Sequence, residues 1–179
     1  MTFLTLGLAS CAIVAYSAIR HALAPRALSQ AVVSQVLLRR YAKPIAVAVV
    51  GVELLLVAGV ALGLGLRARP VLVVTGVIGS AYFLVLAAYL AAVVRRGVVA
   101  PCGCGGRRQD TVVDRWAVRR AGGLSVGMVA LALVEPSTDA LFDGVATSLL
   151  MLVTASTMAL LWWSLPAALR LPMVEGRRG

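Results

Sequence analysis

Three long apolar runs, at residues 3–19, 45–66 and 71–94, dominate this sequence, and short segments that contain arginine separate them. Each run is close to the roughly 20 residues that a helix needs to cross a bilayer. The chain is 61% hydrophobic and 13% charged, whereas a soluble domain averages about 45–50% and about 25%. We therefore expect an integral membrane protein. The composition excludes an ordinary soluble enzyme and also a disordered chain, because disorder requires low hydrophobicity.

Two further segments predict additional membrane spans, and a third predicts a surface helix. Residues 116–134 form a fourth candidate span, in which Arg119 and Arg120 lie in the first turn and must reach the lipid headgroups. Residues 141–163 form a fifth candidate span that ends in two tryptophans, which are common at membrane interfaces. Between the first two spans, residues 27–38 predict a short helix at the membrane surface, because apolar residues recur there at helical spacing.

These segments predict an all-α fold, a polytopic membrane helical bundle that forms one domain over residues 1–179. A four-helix core over about residues 3–134 and one extra C-terminal span give about five transmembrane helices, beside the short interfacial helix. Pairs of small residues spaced four apart let helices approach closely in lipid. Such pairs are Gly59 and Gly63, Gly76 and Ser80, and Gly123 and Gly127.

The basic residues predict how the chain is oriented in the membrane. The formal net charge is +10, but the 17 basic residues lie in short connections without interleaved aromatic residues, so we do not expect nucleic-acid binding. The first and third connections and the C-terminal tail together hold 15 of them, and the second connection holds two. With five spans, the positive-inside rule places the N-terminus outside the cell and the C-terminus in the cytoplasm. The expected location is therefore the cell membrane.

The sharpest motif is Cys102-Gly103-Cys104, in the loop after the third span. Cysteines separated by one residue are near the geometric limit for a disulfide, so a bond between them should be strained and easily reduced. Gly103 tolerates unusual backbone angles. The nearby Arg107 and Arg108 favour the thiolate, which is the reactive form in thiol–disulfide exchange. The motif therefore indicates electron transfer by thiol–disulfide exchange at the membrane surface.

Other interpretations of the three cysteines stay open. The pair offers a soft metal such as Cu(I) or Zn only two ligands, and we assign no metal ligands. Lipidation of a cysteine next to the membrane is a further alternative, and two thiols without a function are another. Cys11 lies within the first span, where a free cysteine usually packs as a small apolar side chain. A third redox thiol is the alternative for Cys11.

Glu53 lies nine residues into the second span, about 13 Å along the helix and near the middle of the membrane. An acidic residue at that depth is costly and is a functional candidate by default. A proton relay or a contact with a quinone, the one cofactor that we consider, is the functional interpretation, and a structural hydrogen bond is the alternative. We expect His21, at the end of the first span, to lie at the membrane interface. By depth, the expected partners of Glu53 are Ser10, Thr75, Ser80 and Tyr82.

Several of these elements follow one another in the order of a known family. A surface helix ends in Tyr41-x-x-Pro44, the second span bears Glu53-Leu54, and the third span ends in arginines. A Pro-Cys-Gly-Cys-Gly-Gly loop follows at residues 101–106, before Trp116 and an arginine enter the next span. In this order, the segment from Arg20 to Arg120 resembles the MauE family of membrane proteins, which is linked to methylamine utilisation and related to the DoxX-like group.

The resemblance implies a role in maturation of the small, disulfide-rich subunit of methylamine dehydrogenase, together with a thioredoxin-like partner. It also implies that Cys102 and Cys104 form the dithiol pair. Disulfide maturation takes place outside the cytoplasm, whereas the charge count places both cysteines on the inner side. Either the motif lies within the bundle and is reached from both faces, or the loop exchanges electrons with a cytoplasmic donor, or the number of spans is not five.

Three functional hypotheses follow. The first is an integral membrane thiol–disulfide redox protein, in which Cys102 and Cys104 pass electrons to a thioredoxin-like partner or a disulfide-containing client and Glu53 serves as a proton or quinone group. The second is a non-enzymatic assembly factor that holds a partner by its helices and basic loops. The third is a Cu(I)-handling membrane protein. The lipid bilayer surrounds the chain in all three, and the sequence leaves a homo-oligomer open.

Overall fold

The computed structural model describes residues 2–35, 39–97, 113–133, 153–157 and 159–160. Every regular element in those ranges is a helix, in agreement with the all-α prediction. The longer elements, in chain order, are α1 (Thr2–Leu23), α2 (Pro25–Ser34), α3 (Ala42–Gly65), α4 (Arg69–Arg95) and α5 (Arg115–Ala132), and a 3₁₀ turn at Arg39–Tyr41 precedes α3. Residues 153–157 and 159–160 are also helical.

Three helices are long and apolar enough to cross a membrane, and they coincide with the first three predicted spans. They cover Thr5–Leu23, Ala42–Gly65 and Arg69–Arg95. The last two have 24 and 27 residues, about 36 and 40 Å at 1.5 Å per residue, which exceeds a hydrocarbon core of about 30 Å. The chain is therefore a membrane protein by the length and composition of these helices.

The fourth and fifth predicted spans have a different outcome. The fourth segment does form a helix, α5, which has three arginines in its first six residues. It is not among the three described helices that are long and apolar enough to cross a membrane. Most of the predicted fifth span, residues 141–163, lies outside the described residues. A bundle of five spans is therefore not confirmed.

The four long helices form a ring in which α1 contacts α3 and α5, and α4 also contacts α3 and α5. Neighbouring helices run antiparallel. Along α1 and α5, Gly7 contacts Leu131 and Ser10 contacts Gly127, so the residue numbers rise on one helix as they fall on the other.

Small residues mark the close contacts between these helices, as the sequence predicted for several of them. Gly59 and Gly63 of α3 pack against Thr75 and Leu72 of α4. At the next interface, Gly76 of α4 packs against Met128 and Ala132 of α5, and Ser80 hydrogen bonds with Ser125 at 3.0 Å. Because these residues are small, the helix backbones can approach closely. This close packing stabilises the association of helices in lipid.

The ring encloses an apolar core, and other large apolar side chains point outward. The buried core cluster takes residues from all four helices: Val14, Leu56, Val60, Leu72, Phe83, Met128 and Leu131. Leu55 and Val85 are exposed by 73% and 70% of their surface, a position that suits contact with lipid and would be unfavourable in water.

The short helix α2 packs against α3 and α1. Pro25 occupies its first turn, where the missing N–H costs nothing. Leu28, Ala31 and Val32 form its buried face. The predicted short helix therefore exists, with bounds at Pro25 and Ser34, and its place at the membrane surface stays a prediction. Because this buried face turns toward the bundle, α2 covers part of the site described next.

Candidate functional site

Glu53 lies on α3 and is buried, with 3% of its surface exposed. Its carboxylate oxygens have separate partners on α1. Ser17 Oγ donates to Oε1 at 3.1 Å, and His21 Nδ1 lies 2.8 Å from Oε2. His21 is buried as well, with 6% exposed. The sequence-predicted acid is thus part of a hydrogen-bonded group of three side chains between two helices.

The direction of helical side chains explains why these residues meet. A side chain leans toward the N-terminus of its own helix. His21 lies near the C-terminal end of α1 and leans back toward the middle of the bundle. Glu53 lies in the middle of α3, which runs antiparallel to α1. Its side chain leans toward the N-terminal end of α3, which is the end of the bundle where α1 ends. Ser17 lies one turn before His21 on the same face of α1, where residues four apart are neighbours.

The structure gives Glu53 other partners than most of those expected from the sequence. We expected His21 at the membrane interface, and the structure buries it against Glu53, a contact that the sequence did not predict. Among the partners expected from depth alone, Ser80 instead bonds Ser125, and Ser10 and Thr75 lie at glycine contacts between helices. Tyr82 lines the same cavity as Glu53. Depth along a straight helix ignores the lean of the side chains and the choice of neighbouring helix.

A cavity of about 310 Å³ lies beside the His21–Glu53 pair, within the range typical of small-molecule sites. The five helices α1 to α5 all contribute to its walls, which are mainly apolar. Val85, which is 70% exposed, is part of the lining. The cavity therefore reaches the outer surface of the bundle at α4, on a side that is suited to lipid.

Other polar side chains line the same cavity. Tyr89 Oη of α4 donates to Gln35 Oε1 beside α2 at 2.8 Å, and the Gln35 side chain is buried. Arg120 of α5 is half-buried and also lines the cavity. Arg119 is exposed and stacks over the Trp116 ring at 5.1 Å, and the depth of both arginines relative to the lipid headgroups stays a prediction.

The cavity lies toward the end of the bundle where α1 and α4 end and where α3 and α5 begin. Its lining includes His21 and Leu90 from the C-terminal parts of α1 and α4, and Ile45 and Ala117 from the first turns of α3 and α5. The connection from α4 to α5 joins this same end. Asp114 fixes the start of α5, because its side chain accepts hydrogen bonds from the N–H groups of Trp116 and Ala117, both at 3.0 Å.

The predicted dithiol belongs to that connection, and Cys102 and Cys104 lie outside the described residues. Cys11 is described and is a free, half-buried thiol that packs against the core cluster. Among the described residues, no three His, Cys, Asp or Glu side chains are grouped in a way that could hold a metal ion.

Sequence reasoning found Glu53 but missed His21, Ser17, Gln35 and Tyr89 as parts of one site. The available signal was the spacing of Ser17 and His21, which places two polar side chains on one face of an otherwise apolar helix. No comparable signal links Tyr89 to Gln35, because they are 54 residues apart in the chain.

A comparison with protein-family models finds one whose description is methylamine utilisation protein MauE, and it matches residues 1–135. The match includes α1 to α5 and the Cys-Gly-Cys loop, and it covers well over half of the chain. No curated protein and no solved structure matches the chain.

Proposed function

The chain belongs to the MauE family, and we propose that it acts in the membrane as a thiol–disulfide redox protein in methylamine utilisation. The observation that carries the proposal is the Cys102-Gly103-Cys104 motif in the connection between α4 and α5. That connection joins the end of the bundle that holds the His21–Glu53 pair. A dithiol and a proton-exchanging pair are the two kinds of group that a two-electron thiol reaction uses.

The proposed reaction is an exchange with a thioredoxin-like partner. A partner thiolate attacks the Cys102–Cys104 disulfide and forms a mixed disulfide, which the second partner thiol resolves. The partner leaves with a disulfide, and Cys102 and Cys104 are left as thiols, so two electrons and two protons pass to this chain. The oxidised partner then passes its disulfide on to a client, for which the small subunit of methylamine dehydrogenase is our candidate.

Three features support a reactive rather than a structural pair. One intervening residue strains a disulfide and makes it easy to reduce. Arg107 and Arg108 follow the motif closely in the chain, and cations favour the thiolate. Asp114 and α5 hold the far end of the connection to the bundle.

Single and double serine variants test the proposal. Cys102→Ser and Cys104→Ser should each abolish maturation of a client enzyme. The single variant whose remaining thiol the partner can reach should accumulate a mixed disulfide, formed when that thiolate attacks the disulfide form of the partner. It is visible as a band that disappears on reduction. Cys11→Ala is the matched control and should mature the client normally. Full activity of the Cys102→Ser/Cys104→Ser variant would overturn the redox function and leave the non-enzymatic assembly factor.

The side of the membrane at which the exchange occurs is a separate question. Five spans and the positive-inside rule place the loop in the cytoplasm, whereas direct exchange with an extracytoplasmic partner needs the loop outside. A membrane-impermeant maleimide, applied to intact cells in a Cys11→Ala background, distinguishes the two arrangements. Labelling of Cys102 or Cys104 in intact cells means direct exchange outside the cytoplasm, and labelling only after lysis means exchange with a cytoplasmic protein.

A further inference from the structure

We propose that the cavity beside His21 and Glu53 is a binding site for a membrane quinone, whose ring carries two carbonyl oxygens and whose tail is apolar. Binding requires only the described residues. The redox part of the inference rests on the proposed function, because it makes the quinone the acceptor of electrons from Cys102 and Cys104.

The walls of the cavity fit an apolar ring and tail. Leu28 and Val32 of α2, Phe83 and Leu86 of α4, and Leu124 of α5 are among the lining residues. The exposed Val85 also belongs to the lining. A ligand dissolved in the bilayer therefore reaches the cavity through the side of the bundle without crossing water.

His21 supplies a group that suits both redox states of a quinone. Its Nδ1 is engaged by Glu53 at 2.8 Å, whereas its Nε2 is buried and has no hydrogen-bond partner among the described residues. In the neutral ring with a proton on Nδ1, Nε2 accepts a hydrogen bond, and in the imidazolium it donates one. A quinone oxygen needs a donor, and a hydroquinone hydroxyl needs an acceptor, so His21 satisfies either form.

Glu53 and Ser17 hold the imidazole of His21 in place beside the cavity. The Oε2 atom of Glu53 lies 2.8 Å from Nδ1, so Nδ1 has an acceptor for its proton and Nε2 is left for a ligand. Ser17 Oγ, which donates to the other carboxylate oxygen, holds Glu53 in place. The imidazole is therefore held where its Nε2 can exchange a proton with a bound quinone oxygen.

The complete reaction balances without another oxidant. The dithiol of Cys102 and Cys104 loses two S–H bonds and forms one S–S bond, and the quinone gains two O–H bonds. Two electrons and two protons move from sulfur to the quinone, and His21 gives one of the protons and is reprotonated by one from the thiols. The disulfide that the thioredoxin-like partner needs is thereby regenerated.

Photoaffinity labelling of the full-length protein in nanodiscs tests the site. The probe is a short-chain azido-benzoquinone, and the protein is the Cys102→Ser/Cys104→Ser variant, so that binding is measured without turnover. Cross-links should map to the lining of α1, α4 and α5, and excess unmodified short-chain quinone should prevent them. His21→Phe should weaken competition by about tenfold, because a buried hydrogen bond is lost.

Two further variants keep the test decisive. Ala117→Leu fills the cavity without touching the pair and should lower the labelling in the same way, even where His21→Phe fails to fold. Ser80→Ala, whose hydroxyl faces Ser125 and not the cavity, is the matched control and should label normally. Labelling that is spread over lipid-facing residues, or that palmitate displaces as well as quinone does, would overturn the quinone site.

Failure of the proposed function would look different from failure of the site. If the double serine variant matures the client fully yet still binds quinone in the cavity, the redox function falls and the binding site stands. If the dithiol traps its partner but no saturable quinone labelling occurs, the site falls and the redox function stands.

Discussion

The contact between His21 and Glu53 persists because each side chain reduces the cost of burying the other. A buried polar group without a partner is costly in a protein and more so in lipid. The Nδ1–Oε2 contact of 2.8 Å satisfies one atom of each residue, and Ser17 satisfies the other carboxylate oxygen. Removal of one member therefore leaves the other buried with an unsatisfied atom.

A double-mutant cycle should reveal this dependence. His21→Ala and Glu53→Ala should each destabilise the protein, and the double variant should lose less than the two costs together. We expect a coupling of about 1–2 kcal/mol, toward the upper end of hydrogen bonds measured within membranes. Reversible unfolding in mixed micelles measures it, and Ser80→Ala combined with Glu53→Ala is the control pair. Strictly additive costs for His21 and Glu53 would contradict the contact.

Cys11 should be dispensable for redox exchange. It is a free, half-buried thiol against the core cluster, and alanine fills most of the same space. Cys11→Ala should therefore lower stability by about 1 kcal/mol or less and leave the yield of the trapped mixed disulfide unchanged. Loss of the trapped species in this variant would identify Cys11 as a third redox thiol.

The sequence was enough to single out Glu53, because one acid within a long apolar run is conspicuous. It was not enough to find His21 as its partner. The two residues are 32 positions apart, and their contact depends on which helices are neighbours and on how side chains lean in antiparallel helices. Hydropathy predicts neither which helices are neighbours nor the direction in which their side chains lean.

At the scale of the helices, the close contact between α4 and α5 depends on the absence of a side chain at Gly76. A methyl group at Gly76 would lie 2.7 Å from the Met128 carbonyl oxygen and 2.9 Å from the Ala132 nitrogen. Both are backbone atoms of α5, so the helices would have to separate. The four-residue spacing of Gly76 and Ser80 was visible in the sequence, but it could not identify the helix against which these residues pack.

Gly76→Ala should therefore destabilise the bundle by about 1–3 kcal/mol, the usual cost of overpacking. Gly51→Ala is the matched control, because a methyl group at Gly51 of α3 meets no atom within 4 Å. It should be neutral or stabilising by up to about 1 kcal/mol, since alanine is the better helix former. Thermal unfolding of both variants in the same detergent provides the measurement. Equal stability of the two variants would contradict the close approach of α4 to α5.

Hydropathy predicted where the long helices lie to within a few residues. It placed the first span at residues 3–19, whereas α1 continues to Leu23, because Arg20 and His21 were taken as the end of the apolar run. In the structure Arg20 lies over the Tyr16 ring at 5.9 Å and His21 turns inward. Polar side chains with partners can thus extend a helix beyond its apolar run.

For the whole molecule, the membrane topology depends on α5. With α5 and the segment at residues 141–163 both crossing the membrane, the tail is cytoplasmic by the positive-inside rule. Arg115 and Arg119 are exposed at the start of α5, where they suit the headgroup region on the side that the rule makes cytoplasmic. The outward apolar surface of α3 and α4 then faces lipid.

Reporter fusions should locate both ends of this arrangement. In a bacterial host, alkaline phosphatase fused after Asp139 should be active, and the same enzyme fused after Gly179 should be inactive. Green fluorescent protein should show the reverse pattern, because it does not fluoresce when exported unfolded. Active phosphatase at Gly179 would contradict five spans and would mean that α5 or the last segment does not cross the membrane.

The most direct measurement for the redox account is the state of Cys102 and Cys104 in living cells. Acid quenching followed by differential alkylation and mass spectrometry gives the fraction of the pair that is joined. We predict that both forms are present, that the joined form increases when the partner is deleted, and that the reduced form increases when quinone synthesis is blocked. A pair that is always reduced, whatever the partner or the quinone supply, would contradict the account.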